Sequence, residues 1–386
     1  MSTKKHIYLN IIIAIIVGIG AWGVAEPGYF QVLSIIAPAL WFGMPNRWIA
    51  GTVYSVYTLA ASYGLISGMA VYFDIPVLLS LLMWLIAATP IFIASAMLWH
   101  KNRYVRLCLI PILLLVSSIP PVGLFGWANP VTAAGWLFPG WAWYGLLSAV
   151  VLILIIAWFQ SYFMYSGIVF SVCIAAILLQ PNTMQIPAWK GYNTSFEYGA
   201  KSHAKRDLKE EFSRHKKLQR ILNTGFEYHL YPESVGGVWN DFASSDWQEK
   251  INESGTKGVL LGSHEQLKNG YNNVVVAIDD EGARIVYRQR VPAPVGMWNP
   301  WSKDSAKAYW FDESVVDVAG HRLGFLMCYE SLLVFPVIQT LLNKPDALVS
   351  MASTWWAPLS IHYAQKNSVH SWARLFNLPV VEAYNL

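Results

Sequence analysis

The stretch Leu323–Glu330, LGFLMCYE, predicts a short buried strand that runs directly into Cys328. The residues that follow, Ser331–Phe335, are typical of the start of a helix. A thiol at such a junction lies near backbone N–H groups, which favour the thiolate. Cys328 is therefore a candidate nucleophile. The alternative is that Cys328 is a small core residue, because a free cysteine is usually buried and inert.

The other two cysteines, Cys108 and Cys173, lie in long apolar runs. Cys328 is the only cysteine in the polar part of the chain, and this distribution argues against a disulfide framework. The sequence contains no CxxC or HExxH pair, and His362 and His370 share a helix face only loosely. We therefore expect neither a metal nor a cofactor.

Charged side chains divide the chain into two halves. Of the 50 charged residues, 27 basic and 23 acidic, eight lie in residues 1–185 and 42 in residues 186–386. None occurs from Leu107 to Trp189, and a soluble domain does not stay uncharged over that length. Residues 1–185 are therefore predicted to form a transmembrane domain, and residues 186–386 one soluble domain. The net charge of +4 is mild, and we expect no direct binding of nucleic acid.

Hydropathy predicts seven membrane spans in the first half, the second of which is short and is either re-entrant or bent at Pro38. The spans cover residues 7–24, 29–44, 48–71, 76–98, 105–122, 141–158 and 163–180. The charged connections alternate between basic and acidic, as the positive-inside rule requires when the N-terminus is cytoplasmic. Seven crossings of a bacterial inner membrane place residues 186–386 in the periplasm, whereas one span fewer or more places them in the cytoplasm.

The second half alternates between helix and strand patterns, which indicates a layered α/β domain. Helices are predicted at Lys205–Leu222, from Ser331 to about Leu342 and at His362–Phe376. Strands are predicted at Gly225–Tyr231, Val259–Gly262, Tyr271–Ile278, Arg284–Arg288 and Ala347–Met351, the third and fourth as a hairpin.

Glu233 lies just after the first predicted strand, behind a proline that prevents further regular pairing. Strand ends in α/β domains are where side chains converge on a site. Glu233 is therefore a second candidate for the site. The alternative is a solvated carboxylate in a loop.

Four segments, in this order, resemble the motifs of apolipoprotein N-acyltransferases, which belong to the nitrilase (carbon–nitrogen hydrolase) superfamily. The segments are Leu230–Ser234 for the glutamate motif, Tyr271–Asn273 for the Tyr-Asn-Ser segment, Tyr287–Gly296 for the lysine segment and Met327–Glu330 for the nucleophile motif. The resemblance covers nearly the whole chain. It implies a multi-span α-helical membrane domain followed by a nitrilase-like α-β-β-α sandwich.

The resemblance also implies a triad of Glu, Lys and Cys. Glu233 is expected to be the general base that takes the thiol proton, and Cys328 to attack a carbonyl and form a thioester. The acyl group then passes to an amine or to water. Glu330 matches a further glutamate of the family that helps to arrange the site. Its alternative role is to complement the charge of a helix N-terminus.

Two positions depart from the family pattern. The family lysine falls on Gln289, and Met297 stands where the family usually has an acidic residue. The lysine is expected to stabilise an oxyanion, and the loss of one such donor costs about 100- to 1000-fold in rate.

A cation from elsewhere is the remaining way to restore that charge. The flanking Arg288 and Arg290 are predicted to point to the opposite face of their strand. Lys303 and Lys307, in the following loop, are the other candidates. The sequence does not decide among them.

The segment from Arg288–Pro292 to Gly296–Trp298 resembles the TraB-type conjugal transfer proteins of bacterial plasmids more than it resembles the acyltransferases. The TraB-type proteins are a branch that resembles the acyltransferases in both domains. The acyltransferases continue beyond the position of Leu386 with further strands and usually a last membrane helix. We therefore expect this chain to lack those elements.

Two functions remain open. The first is a membrane-bound acyltransferase or amidase that takes an acyl group from a lipid or a peptide and transfers it to an amine of a peptide or lipoprotein. The second is a catalytically retired component of the conjugation or pilus-assembly machinery, which Gln289 and Met297 favour. A transporter is a weaker third alternative, because the predicted spans carry almost no ionisable groups.

Overall fold

Residues 3–24, 28–160, 162–178, 184, 186–196, 208–222 and 225–386 are described by the computed structural model. In the first half, all regular elements among these residues are helices. The α-helices are α1 (Thr3–Trp22), α2 (Ala37–Phe42), α3 (Arg47–Ala61), α4 (Gly64–Phe73), α5 (Val77–Ala87), α6 (Thr89–Met97), α7 (Arg103–Val116), α8 (Ala134–Leu137), α9 (Ala142–Phe159) and α10 (Tyr162–Leu178). Shorter 3-10 helices cover Gly28–Ile36, Val122–Phe125 and Pro130–Ala133.

Three segments of the described chain are long and apolar enough to cross a membrane. They are Lys4–Trp22, Val77–Met97 and Ala142–Phe159, with 19, 21 and 18 residues. A fourth candidate is the pair α3 and α4, which is bent by 60°.

The sequence predicted seven spans, and several of the described helices are shorter than the spans predicted there. Gly28–Phe42 is shorter and mostly buried in protein, and hydropathy does not distinguish such a segment from a span. Helix α7 has 14 residues with Pro111 inside it. The last predicted span extends to residue 180, beyond the described end of α10.

The second half contains two sheets. Its elements are β1 (Trp189–Gly191), α11 (Leu208–Gln219), β2 (Tyr228–Leu230), α12 (Asp241–Ser254), β3 (Gly258–Gln266), β4 (Tyr271–Asp279), β5 (Gly282–Arg288), β6 (Val315–Val318), β7 (His321–Met327), a 3-10 helix (Cys328–Leu332), α13 (Val334–Leu342), β8 (Ala347–Ser353), α14 (Leu359–Phe376) and β9 (Val380–Asn385). The first sheet has the order β1-β2-β3-β4-β5 and the second β6-β7-β8-β9. Strands β1 to β3 are parallel, as are β7 to β9.

The two sheets pack face to face and are covered by helices on both outer sides. Leu260 and Val275 of the first sheet share one core with Phe325 and Val349 of the second. Helices α11 and α12 pack on the outer face of the first sheet. Helices α13 and α14 cover the second sheet and join the core of the helical half. This is the α-β-β-α sandwich that the resemblance implied.

One end of the helical half carries basic residues. The Arg103 guanidinium lies 4.1 Å from the centre of the Trp158 ring near the end of α9, and Arg106 donates a 3.3 Å hydrogen bond to the carbonyl of Met44. Helix α10 begins just after α9, and the first turn of α10 contacts α1 where Asn10 donates to the hydroxyl of Tyr162 (3.1 Å). The starts of α1, α7 and α10 and the ends of α2 and α9 therefore lie at the same end.

The opposite end of the helical half contacts the sandwich. The hydroxyl of Tyr72, near the end of α4, donates to the carbonyl of Gly296 (3.2 Å), and the hydroxyl of Tyr329 donates to the carbonyl of Leu124. Gly135 of α8 lies directly against the backbone of α14. The sandwich is thus attached at the end remote from Arg103 and Arg106.

Several predicted elements have different limits in the structure. The hairpin at Tyr271–Ile278 and Arg284–Arg288 is confirmed by β4 and β5. The strand predicted at Gly225–Tyr231 is reduced to β2, and residues 205–207 of the predicted helix lie outside the described residues. The helix predicted after Cys328 begins as a 3-10 turn and becomes an α-helix only at Val334, because Leu333 is extended. Strand β9 lies at the edge of its sheet and pairs only with β8 among the described strands.

The contact at Gly135 predicts how the two halves are joined. A Cβ at this position would overlap the carbonyl oxygen of Ser371. We expect Gly135→Ala to lower the free energy of unfolding by about 1–3 kcal/mol, the usual cost of overpacking an interior. Denaturant unfolding of the full chain in detergent measures this loss.

The matched control is Gly167→Ala in α10, where a Cβ has no described atom within 4 Å. It should leave stability unchanged or increase it by up to about 1 kcal/mol, because alanine is the better helix former. Equal stability of the two variants would contradict the close contact at Gly135.

Candidate active site

Glu233 lies in the turn that follows β2 and is 3% exposed. The next residue, Ser234, has a φ of 63°, so the chain turns sharply there. Gly262 of β3 permits this arrangement, since a Cβ would overlap the Pro232 carbonyl and the Glu233 backbone. The local fold therefore directs a carboxylate into the interior, and Glu233 is not the solvated loop residue of the alternative interpretation.

Cys328 follows the last residue of β7 and is 8% exposed. Its φ of 51° is in the left-handed region, which costs a residue other than glycine about 1–3 kcal/mol. Such strain is concentrated at functional sites. The backbone N–H groups of Tyr329 and Ser353 act to lower the pKa of Cys328.

The thiol of Cys328 donates a hydrogen bond to the carboxylate of Glu233. Burial raises the pKa of Glu233 to about 7. Burial and the adjacent carboxylate raise the pKa of Cys328 well above its ordinary value. The backbone N–H groups favour the thiolate, as the sequence led us to expect, but burial and the adjacent carboxylate outweigh them and raise the pKa of Cys328.

Two further donors fix the carboxylate. The side-chain amide of Asn273 in β4 donates to Oε1 of Glu233 at 2.6 Å. The backbone N–H of Ser353 at the end of β8 donates to Oε2 at 2.8 Å. Both favour the ionised carboxylate, in opposition to burial, and hold it near neutrality. The sequence quoted Asn273 only as part of a motif and gave no signal for Ser353, because only the folded chain brings the two sheets together.

Gln289, which the sequence aligned with the family lysine, is buried, and its two side-chain hydrogen bonds go to residues other than Cys328. Its Oε1 accepts from Asn273 at 2.9 Å, and its Nε2 donates to the carbonyl of Met327 at 3.1 Å. It therefore braces the amide that holds Glu233 and links β4 to the end of β7.

None of the other candidate cations, Lys307 included, is among the largest influences on the pKa values of Glu233 and Cys328. Arg288 points outward to Glu265, as predicted, with Nε 3.2 Å from the carboxylate. Arg290 is fully buried and donates to Thr340 and Gln339 on α13. Lys303 is exposed, and the largest influences on the pKa values of Glu233 and Cys328 include no cationic group. The charges with the largest influence on this pair are therefore those of carboxylates.

Glu330 is fully buried, two residues after Cys328, and its carboxylate bonds to other groups. Its Oε2 accepts from the Met327 N–H (2.8 Å) and from the Tyr287 hydroxyl (2.7 Å). Its Oε1 accepts from the N–H groups of Arg290 (2.6 Å) and Val291 (3.1 Å). The carboxylate therefore ties the lysine segment to the end of β7 and positions Cys328 without touching its sulfur.

The helical half contributes a wall of the site. Tyr72 packs edge to face on Trp356, with ring centres 5.5 Å apart, and Trp356 donates to the carbonyl of Ser353 (3.1 Å). Gly68 allows the ring of Trp356 to lie against α4. Tyr72 is close enough to interact with the charges of Glu233 and Cys328. Its role had no signal in the sequence, since residue 72 lies in an apolar run more than 150 positions from Glu233.

Comparisons with known proteins place the chain among conjugal transfer proteins. It is 31% identical over 392 residues to a protein from Sinorhizobium fredii named probable conjugal transfer protein TraB. The alignment covers 97% of each chain. It is also 31% identical over 403 residues to conjugal transfer protein TraB from Agrobacterium fabrum. That alignment covers 99% of this chain and 94% of the relative. No family model matches the sequence.

Among solved structures, two variants of an amidase of the nitrilase superfamily from Nesterenkonia sp. AN1 align with 43% of this chain. The alignments cover 63% and 65% of the amidase, with 11% and 12% sequence identity and a TM-score of 0.31 in both cases.

The raised pKa of Glu233 predicts a pH dependence. Below a pH of about 7 the carboxyl is protonated and cannot accept the thiol proton, whereas above it the carboxylate can. In a chain without the exposed Cys108 and Cys173, we expect the rate of Cys328 alkylation by iodoacetamide to rise through a pH of about 7. In Glu233→Gln this rise should disappear, leaving only the titration of the thiol. Mass spectrometry of the intact chain measures both rates.

The neutral residue at position 289 predicts the effect of restoring the lysine. An ammonium at Gln289→Lys favours the ionised form of Glu233, so the rise in alkylation should move to lower pH. Gln289→Met, which brings no charge, is the control and should show no such acid shift. An unchanged midpoint in folded Gln289→Lys would mean that position 289 is electrostatically remote from Glu233.

Proposed function

This chain belongs to the TraB family of conjugal transfer proteins, and on that premise we propose that it is a membrane-bound acyltransferase that serves bacterial conjugation. Cys328 is the nucleophile and Glu233 the general base. The acyl donor is a membrane lipid, and the acceptor is an amine of a peptide or lipoprotein in the conjugation machinery.

The observation that carries this proposal is the buried hydrogen bond between the Cys328 thiol and the Glu233 carboxylate. A carboxylate whose pKa lies at about 7 can take a proton at neutral pH and return it. A protonated thiol next to it is activated only when substrate arrives. The strained backbone at Cys328 is a cost that a merely structural cysteine does not require, and such a cysteine needs no carboxylate held beside it by two donors.

The proposed reaction has two transfers. Glu233 takes the thiol proton while the sulfur attacks the ester carbonyl carbon of the donor, and the carbonyl pair moves to oxygen. That pair returns as the carbon–oxygen bond to the leaving group breaks, and the leaving oxygen takes the proton from Glu233. An amine then attacks the thioester, the carbon–sulfur bond breaks, and Glu233 moves the amine proton to the departing sulfur.

A multi-pass membrane location is supported by the helical half. Three segments, or four with the bent pair, have sufficient length and hydropathy. The basic residues Arg103 and Arg106 lie at the end of the helices remote from the sandwich, and the positive-inside rule assigns such an end to the cytoplasm. We therefore place the N-terminus in the cytoplasm and the sandwich in the periplasm.

A lipid donor is supported by the position of the site beside α4. Tyr72 of that helix forms part of its wall, and the neighbouring helix α5 exposes a large apolar surface. Leu78 and Ile86 are each 69% exposed and Leu82 is 49% exposed. An acyl chain in the bilayer can contact this surface while its ester group approaches Cys328.

The second candidate function is a non-catalytic membrane component of the conjugation apparatus. The observation in its favour is Gln289, which is fully engaged in hydrogen bonds and brings no charge to an oxyanion. In this case the Glu233–Cys328 pair is a remnant of an enzyme.

The test is to trap an acyl-thioester. Full-length protein in vesicles of bacterial phospholipid is denatured in acid without an amine acceptor, and intact-mass spectrometry is used to detect an acyl adduct. We expect an acyl mass on Cys328 in the unsubstituted chain, little in Glu233→Gln and none in Cys328→Ala. Unmodified Cys328 in folded, membrane-inserted protein would contradict the acyltransferase.

Conjugation itself separates the two candidate functions. We expect Cys328→Ala to abolish or strongly reduce plasmid transfer at a normal protein level, because the nucleophile is lost. Transfer at the unsubstituted frequency would favour the non-catalytic component instead.

A further inference from the structure

Gln365 in α14 lies at the reaction centre and is not part of any motif in the sequence. Its side chain is buried, with 3% of its surface exposed. Nε2 lies 3.9 Å from the sulfur of Cys328, within hydrogen-bonding range for sulfur. Its Oε1 is buried and has no hydrogen-bond partner among the described residues.

The orientation of this amide follows from the proton on the sulfur. The thiol gives its hydrogen to Glu233, so the sulfur presents only lone pairs to Gln365. The NH2 group must therefore face the sulfur, and the oxygen turns away from it. A buried carbonyl without a partner is costly, and an unpaired group in a native structure calls for an explanation.

Gln365 can supply what Gln289 cannot. Both glutamine side chains end in an amide that can donate hydrogen bonds. However, Nε2 of Gln289 already donates to the carbonyl of Met327. Nε2 of Gln365 makes no hydrogen bond to the described chain other than the one to Cys328. Its second N–H is therefore available for a substrate bound at the sulfur.

We infer that Gln365 is a further residue of the reaction centre, with one function at each end of its amide. Its Nε2 donates to the sulfur and to the carbonyl oxygen of the acyl group, which becomes negative during attack. Its Oε1 accepts an N–H of the incoming amine and directs that amine to the thioester. The first function depends only on the geometry, whereas the second rests on the proposed acyl transfer.

The test compares two glutamines of the same chain. Gln365→Met has nearly the same shape but no hydrogen-bonding group. Gln248→Met in α12 is the matched control, because Gln248 also donates to one partner, the carbonyl of Asp279 (2.6 Å), and has a buried, unpaired Oε1. Both are made in the chain without Cys108 and Cys173, and alkylation of Cys328 by iodoacetamide is followed across pH.

We expect Gln365→Met to slow alkylation at neutral pH by about 10- to 100-fold, the effect of losing one hydrogen bond to a charged group, and to move the thiol titration to higher pH. Gln248→Met should leave both unchanged. Gln365→Met should also be no less stable than the unsubstituted chain, since it removes an unpaired buried oxygen. A purely structural glutamine would give the reverse pattern. The inference would be overturned if Cys328 in Gln365→Met were alkylated at the same rate, and with the same pH profile, as in the unsubstituted chain.

The acyl-transfer arm distinguishes the two proposals. With vesicle lipid as donor and glycine amide as acceptor, we expect Gln365→Met to form the thioester slowly and to lose more of it to water than the unsubstituted chain does. Absence of any thioester in the unsubstituted chain would reject the proposed function, while the alkylation rates still decide the role of Nε2. If Gln365→Met does not fold, Gln365→Asn, which withdraws the amide by one methylene, must show the same slowing.

Discussion

The arrangement of the site depends on the buried hydrogen bond between the Cys328 thiol and the Glu233 carboxylate. Burial disfavours charge on both groups, so one proton stays on the pair and the pKa of Glu233 is raised to about 7. Without Asn273 and the Ser353 N–H, burial would raise that pKa further. The two sheets meet at this point, because Glu233 follows a strand of one and Cys328 a strand of the other.

The helical half is part of the same site. Tyr72 closes one side of it, and Tyr329, next to Cys328, donates a hydrogen bond to the carbonyl of Leu124. Helix α14 has a double role: its inner side presents Gln365 to the sulfur, while Gly135 packs against its outer side. The helical half therefore contacts both the wall of the site and the residue that follows Cys328. This contact suits a proposed reaction in which the donor comes from the bilayer.

The sequence was sufficient for whatever depended on local pattern. The strand before Cys328, the β4–β5 hairpin and the order of the motifs were predicted, and the family was recognised from those motifs. Long-range partners were not predictable. Ser353 acts through its backbone, Gln365 is one polar residue in a long amphipathic helix, and Tyr72 lies in an apolar run. Against the seven predicted spans, three segments of the described chain, or four with the bent pair, have the length and hydropathy to cross a membrane.

Gln289 is neutral at the position that the sequence aligned with the family lysine. The central question is therefore whether the proton shared by Cys328 and Glu233 lies on the sulfur or on the carboxylate. No cationic group is among the largest influences on the pKa of Cys328, so in the proposed reaction the sulfur depends on Glu233 for activation and on neutral donors for stabilisation. Infrared difference spectra between the unsubstituted chain and Cys328→Ala follow the S–H band of this one thiol across pH. The account predicts that the band persists while the carboxyl of Glu233 ionises near a pH of about 7. A thiolate at Cys328 already present below that pH would contradict it.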